Sequence, residues 1–234
     1  MAAVFGLMLR TLLNRGRVAA LVAVGLIGIV IGLAVGGAAE VDRVDAAFHF
    51  IDGFGLGLLV PITALVAASS AFGDPVEDGT LVYLWLRPVA RWKLTVAALA
   101  ASVCVAVPFA LVPAVVAASV TRTGSDLPLG VLIAGGVATV AYCTLFLGLG
   151  LLVRRALVWG LAYVLIWEGF VARSGTAAAR LSILVYARSL LASVANVERP
   201  RLAASVPIAV AVPLLIGLGA VALTSFALRR VDVR

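Results

Sequence analysis

Between Val18 and Ala39 the chain carries no charged side chain, and the same holds for about Phe54–Phe72, Leu94–Val120, Leu129–Val153 and Pro207–Leu228. A helix needs about 20 predominantly apolar residues to cross the hydrocarbon core of a bilayer. Inside lipid every backbone N–H and C=O must be satisfied within the chain, which leaves helices as the economical answer for segments of this kind. A further run, about Ala156–Ala172, is shorter and holds one carboxylate, Glu168. The pattern predicts an all-α integral membrane protein with six transmembrane helices, forming a single transmembrane domain over residues 1–234.

Composition closes off the alternatives. Apolar residues make up 64% and charged residues 12% of the chain, against roughly 25% charged in a soluble domain. The net charge of +7 is not a nucleic-acid footprint, because the arginines stand at the ends of apolar runs, where membrane topology places them. Cys104 and Cys143 lie inside such runs and read as small packing residues. His49 is the only histidine, so neither a disulfide framework nor a metal site is expected. The first apolar segment is too long for the core of a cleaved signal and is expected to stay attached.

Residues 4–17 precede the first span. At helical spacing Phe5, Met8, Leu9, Leu12 and Leu13 share one face, while Arg10, Thr11, Asn14 and Arg17 lie on the other, with Arg15 beside them. This suits an interfacial helix; a frayed basic flank of the first span is the alternative. Within that span Gly28, Gly32 and Gly36 form a small-xxx-small stripe that permits close helix contact. The acidic segment Glu40–Asp52 follows, and Pro61 lies in the second span. Residues 73–93 are a polar-rich interruption, and residues 173–206 are too polar for a span yet too apolar for a plain loop. With the N-terminus inside and six alternating spans, Arg43 and Arg122 alone fall in the short outer loops. The basic residues therefore favour both termini on the cytoplasmic side.

Motifs for covalent chemistry are missing. No GxxxxGK[ST] phosphate loop occurs in the sequence, which excludes ATP binding by that route. Gly53, Gly55 and Gly57 enter an apolar helix with no strand before them, so they are not a nucleotide loop. A single histidine leaves no Ser–His pair within the membrane. Asp78-Gly79 with Ala90-Arg91 echoes a phospholipid-headgroup transferase motif, but the later paired aspartates that would hold its metal are lacking.

Two features remain. In 73–93, Asp74, Glu77 and Asp78 precede Leu81, Tyr83, Leu84, Trp85 and Leu86, and Arg87, Pro88, Arg91 and Lys93 follow. Acidic residues at the start of a short helix and basic ones at its end complement its dipole. The apolar residues exceed what a turn needs, which points to a docking surface for another protein or a helix lying against lipid headgroups. The second feature is Glu168. A carboxylate at the centre of a membrane helix costs roughly 2.5–3.5 kcal/mol on insertion scales and faces protein or water. It reads as a proton- or cation-coupling group, as a contact for substrate, or as a tie to the start of the helices that follow. The shortness of the run places it near the outer edge.

These residues resemble the type-2 ATP-binding-cassette (ABC-2) permeases. Glu77, Asp78, Gly79, Thr80, Leu81, Pro88, Val89 and Arg91 are similar to the acidic–Gly–Thr–Leu…Pro–Val–x–Arg pattern of the family's inner loop. Tyr163, Trp167, Glu168 and Gly169 resemble its Tyr…Trp–Glu–Gly signature, and residues 4–17 its N-terminal elbow helix. The resemblance implies six spans, a short fifth helix and two re-entrant helices on the outer side within 173–206. It implies a dimer with a second permease copy or a paralogue, and a separate cytoplasmic ATPase that carries the ATP and Mg; the chain itself needs no cofactor. The coupling residues it implies are Asp74, Glu77, Asp78, Gly79, Thr80, Leu84, Arg87, Pro88 and Arg91, and the elbow residues are Phe5, Met8, Arg10, Leu12, Arg15 and Arg17. The function it implies is that of an exporter's permease subunit in a bacterial plasma membrane, not an enzyme. The competing classes are a self-sufficient secondary transporter built on Glu168 and a non-transporting scaffold or immunity protein.

Overall fold

The computed structural model describes residues 2–37, 40–79, 90–123, 126–172, 176–195 and 205–230, and every regular element among them is helical. Helix α1 covers Ala2–Leu12. Asn14 then starts α2, Arg15–Gly36, by accepting the Gly16 N–H on its side-chain oxygen at 3.3 Å, as Asn does at a helix N-cap. The elbow segment is thus two pieces, and Arg15 and Arg17 belong to the first turn of the span.

Next comes a continuous rod built of α3 (Glu40–Phe50), π1 (Ile51–Leu59) and α4 (Val60–Glu77). Pro61 can donate no backbone hydrogen bond and its ring crowds the preceding turn. The chain immediately before α4 is wound as the wider π-helix, an arrangement found frequently at functional sites. The helix runs on to Glu77, so the polar interruption begins as helix and not as loop. Helices α5 (Arg91–Val120) and α6 (Leu127–Leu152) follow. Then α7 (Ala156–Ala162) passes into a second π-helix, π2 (Tyr163–Val171). The short α8 (Thr176–Ala179), α9 (Ile183–Val194) and α10 (Val206–Arg230) complete the order.

Among the described residues five helices are long and apolar enough to cross a membrane: Arg15–Gly36, Arg43–Glu77, Trp92–Val120, Leu127–Leu152 and Val206–Phe226. Ala156–Val171 and Ile183–Val194 are apolar but shorter. At 1.5 Å per residue the former reaches about 24 Å, less than the hydrocarbon thickness of about 30 Å.

Helix α6 is the centre of the bundle. Its best membrane-length window is 61% buried, against 22% for α2 and 17% for α10, and it touches α4, α5, α9 and α10. Between helices in lipid there is little hydrophobic driving force, so association depends on close packing through small residues. A Cβ on Gly150 would run into the Ser69 carbonyl of α4. Helices α6 and α10 interlock reciprocally: a Cβ on Gly148 would lie 2.8 Å from Thr224 Oγ1, and one on Gly217 2.8 Å from Thr144 Oγ1. The stripe of Gly28, Gly32 and Gly36 sits against Phe54, Ala117 and Val120 in turn, so its close contacts are with π1 and α5 of the same chain. Leu26, Val30 and Leu33 on α2, and Leu215, Leu218 and Leu223 on α10, stay more than half exposed. Surfaces of that kind suit lipid, and the molecule is a multi-pass membrane protein.

Candidate functional site

At one end of the bundle the start of α2, the end of α4 and the turn before α7 meet. Arg17 donates from Nη2 to Asp74 Oδ2 at 2.8 Å. The α4 helix then closes with the Asp78 N–H on the Asp74 carbonyl at 2.8 Å, and Gly79 takes φ +67°, the left-handed conformation in which helices commonly end and which glycine adopts without a Cβ penalty. Glu77 points across to the neighbouring turn. Its Oε1 accepts the backbone N–H of Arg155 at 3.0 Å, a residue itself in the left-handed region at φ +59°. A non-glycine residue there costs on the order of 1 kcal/mol, which this hydrogen bond offsets. Glu77, Arg154 and Arg155 line an open cavity of about 600 Å³. Helix α1 lies alongside: its Met8 and Leu12 are buried at 4% exposure each, Phe5 is half-buried, and Arg10 is exposed, as is Arg15 at the start of α2. Protein, chiefly α5 with a smaller contact on α4, covers the apolar face of α1.

A second cluster surrounds Glu168, which is 1% exposed. Its Oε1 accepts from Tyr142 Oη, Tyr163 Oη and the Ile183 N–H, each at 3.1 Å. Ser182 Oγ donates to its other oxygen. Ser182 also caps α9, accepting the Val185 N–H at 3.2 Å, so one serine links the carboxylate to the start of a helix. Tyr142 is wholly buried and stacks on Phe146 at 5.8 Å, which meets Tyr163 edge-on at 6.1 Å. Tyr142 belongs to the middle of α6, so Glu168 lies deep in the bundle and not near an edge as its short run implied. Depth is possible because four donors take the place of water. Beyond this cluster Arg188, on α9, donates from Nε to Asp52 Oδ1 on π1.

The sequence matches, over residues 13–177, the profile of the family described as ABC-2 family transporter protein. The chain belongs to this family. The matched stretch runs from the start of α2 to α8, so it contains the Asp74–Glu77 end and, of the second cluster, Glu168, Tyr142 and Tyr163 but not Ser182 or Ile183. No curated protein matches the sequence. The permease is a membrane transport component, and among its described residues no group of three or more His, Cys, Asp or Glu converges to hold a metal.

The expected coupling residues divide accordingly. Asp74 and Glu77 make contacts within the chain, Asp78 and Gly79 end α4, and Arg91 is the first residue of α5. Thr80, Leu84, Arg87 and Pro88 lie outside the described residues. Sequence reasoning passed over Tyr142, Ser182 and the Asp52–Arg188 pair. Signals existed: Tyr142 is the one tyrosine of a largely apolar span, and Arg188 is a guanidinium within an apolar helix.

Proposed function

We propose that this permease forms the translocation pathway of an ABC exporter and is driven by a separate cytoplasmic ATPase. The observation that carries the reading is the junction of Arg17, Asp74, Glu77 and Arg155 in an ABC-2 chain. It joins the start of the first span, the end of the second span and the turn before the fifth at one end of the bundle. A push on the segment that follows Gly79 is thereby passed to three elements at once. The absent phosphate loop supports an outside source of energy. On this reading that end faces the cytoplasm with both termini, in a bacterial plasma membrane. Residues 74–91 are the coupling segment, α7 with π2 is the short fifth span, and α8 and α9 are the re-entrant helices. The functional unit is a dimer with a second copy or a paralogue, and ATP and Mg sit on the partner.

Glu168 offers little to the rival reading of an ion-coupled transporter. Four donors within the chain satisfy its two oxygens, and a coupling carboxylate needs a face open to the ion it carries.

The test is co-purification. The permease alone should hydrolyse no ATP; hydrolysis by the pure chain overturns the proposal. With the ATPase from the same transporter, E77A/D78A should weaken retention about tenfold, a loss of roughly 1.4 kcal/mol. Undiminished retention removes these two residues from the docking surface.

A further inference from the structure

Besides the packing of its buried Ile183, Leu184, Ala187, Leu190 and Leu191, helix α9 is held by two carboxylates, and these two attachments differ in kind. At its N-terminus Glu168 binds the Ile183 N–H and the Ser182 hydroxyl in a site closed to water. Five residues on, Arg188 reaches Asp52, and these side chains keep 24% and 22% of their surface exposed. Releasing Glu168 would leave buried donors orphaned, a penalty that water cannot relieve. Releasing Asp52 from Arg188 strands no fully buried donor, because both side chains already keep part of their surface open, so this is the more easily parted of the two attachments. The carboxylate of this second attachment stands on π1, whose Gly53, Gly55 and Gly57 contribute no side chains to hold the wider winding. A turn of π-helix that rewinds to α changes the direction of every side chain along it, because 4.4 residues per turn become 3.6 (about 18° per residue). Asp52 stands in the first turn of this segment.

We infer that the Asp52–Arg188 pair is a releasable tether by which π1 holds α9 closed on the bundle, with the Glu168 cluster as the fixed pivot. The inference rests on the transporter reading, in which the bundle opens at this end to let substrate leave. Towards its C-terminus α9 seats Leu191 on Gly130, at the start of α6. Loss of the tether leaves that half of α9 to the apolar packing of Leu190 and Leu191 alone, so it lifts more often while Ser182 and Ile183 stay in place. Asp52 and Arg188 act as positioning residues.

The experiment reads the opening of the permease by itself, so failure to find a partner ATPase leaves it intact. Ala187 is 3% exposed and adjoins Arg188; A187C in a C104A/C143A background supplies one thiol on the covered side of α9. Its labelling by a membrane-impermeant maleimide is followed on monodisperse protein in detergent. D52N and R188Q should each speed labelling roughly fivefold, and the exchange D52R/R188D should return it towards the parent rate. If R188Q does not remain monodisperse, D52N, which keeps the side-chain volume, gives the same reading. Equal rates in parent and D52N, or an exchange variant that labels as fast as the single variants, would overturn the tether.

Discussion

Glu168 and Glu77 each accept a backbone N–H from a segment beyond their own helix, Ile183 in one case and Arg155 in the other. In every other respect they differ. Glu168 is sealed among two tyrosines and a serine, whereas Glu77 is exposed beside an open cavity. In a water-free site the removal of one partner strands the rest. At a hydrated surface, water replaces what is lost. The same residue type therefore builds a permanent joint in the centre of the bundle and a yielding one at its end. That is the division of labour a transporter needs if its centre is to keep its shape while its end is pushed.

The comparison breaks first, if it breaks at all, at Glu168. Glu168→Ala leaves two tyrosine hydroxyls, the Ser182 hydroxyl and the Ile183 N–H without their acceptor. With about 1–3 kcal/mol for each buried donor left unmet, the loss exceeds about 3 kcal/mol. Thermal unfolding in detergent, followed by size-exclusion chromatography, should show E168A aggregated or melting far below the parent. An E168A protein that melts with the parent would mean the carboxylate is free to act elsewhere, which would return the ion-coupling reading to contention.

A smaller effect sharpens the same point. Y142F and Y163F each remove one donor and leave Glu168 three others. Each should lower stability by about 0.5–1.5 kcal/mol, with Y142F the more damaging because Tyr142 is wholly buried and Tyr163 only half so. The double variant should exceed the sum of the two, since both hydroxyls serve one oxygen and networks of this kind are non-additive. A double variant no worse than Y142F alone would show that Tyr163 takes no part in the joint.

The helical framework and its membrane character were legible because apolar length is a local property of the sequence. Glu168 stood out for the same reason: one carboxylate in an apolar run. Its depth was not legible, since Tyr142 and Ser182 reach it from other helices and nothing local announces them. The π winding of Ile51–Leu59 and Tyr163–Val171 was equally hidden, because apolar residues without a sharp period fit either winding. Asp52 and Arg188 are far apart in the chain, and no local pattern links the end of the acidic segment 40–52 to an arginine within 173–206. For Asp74 and Glu77 the family resemblance implies a coupling role. Their contacts with Arg17 and Arg155 depend on which helix ends assemble together, and that is a property of the fold.

The smallest expected effect on stability is at Arg17 and Asp74, and it separates bracing from coupling. Their side chains are 26% and 39% exposed, and ion pairs in such surroundings contribute about 0–1 kcal/mol, less at high salt. R17Q or D74N should therefore shift the melting temperature little, and raising the salt should erase what shift there is. Transport supported by the partner ATPase should nonetheless fall in both variants, because the first span no longer follows the end of the second. ATP hydrolysis should persist. The exchange R17D/D74R should recover part of the transport. If D74N instead melts as early as E168A, this end of the molecule is a rigid joint like the centre, and the contrast between the two glutamates loses its mechanical meaning.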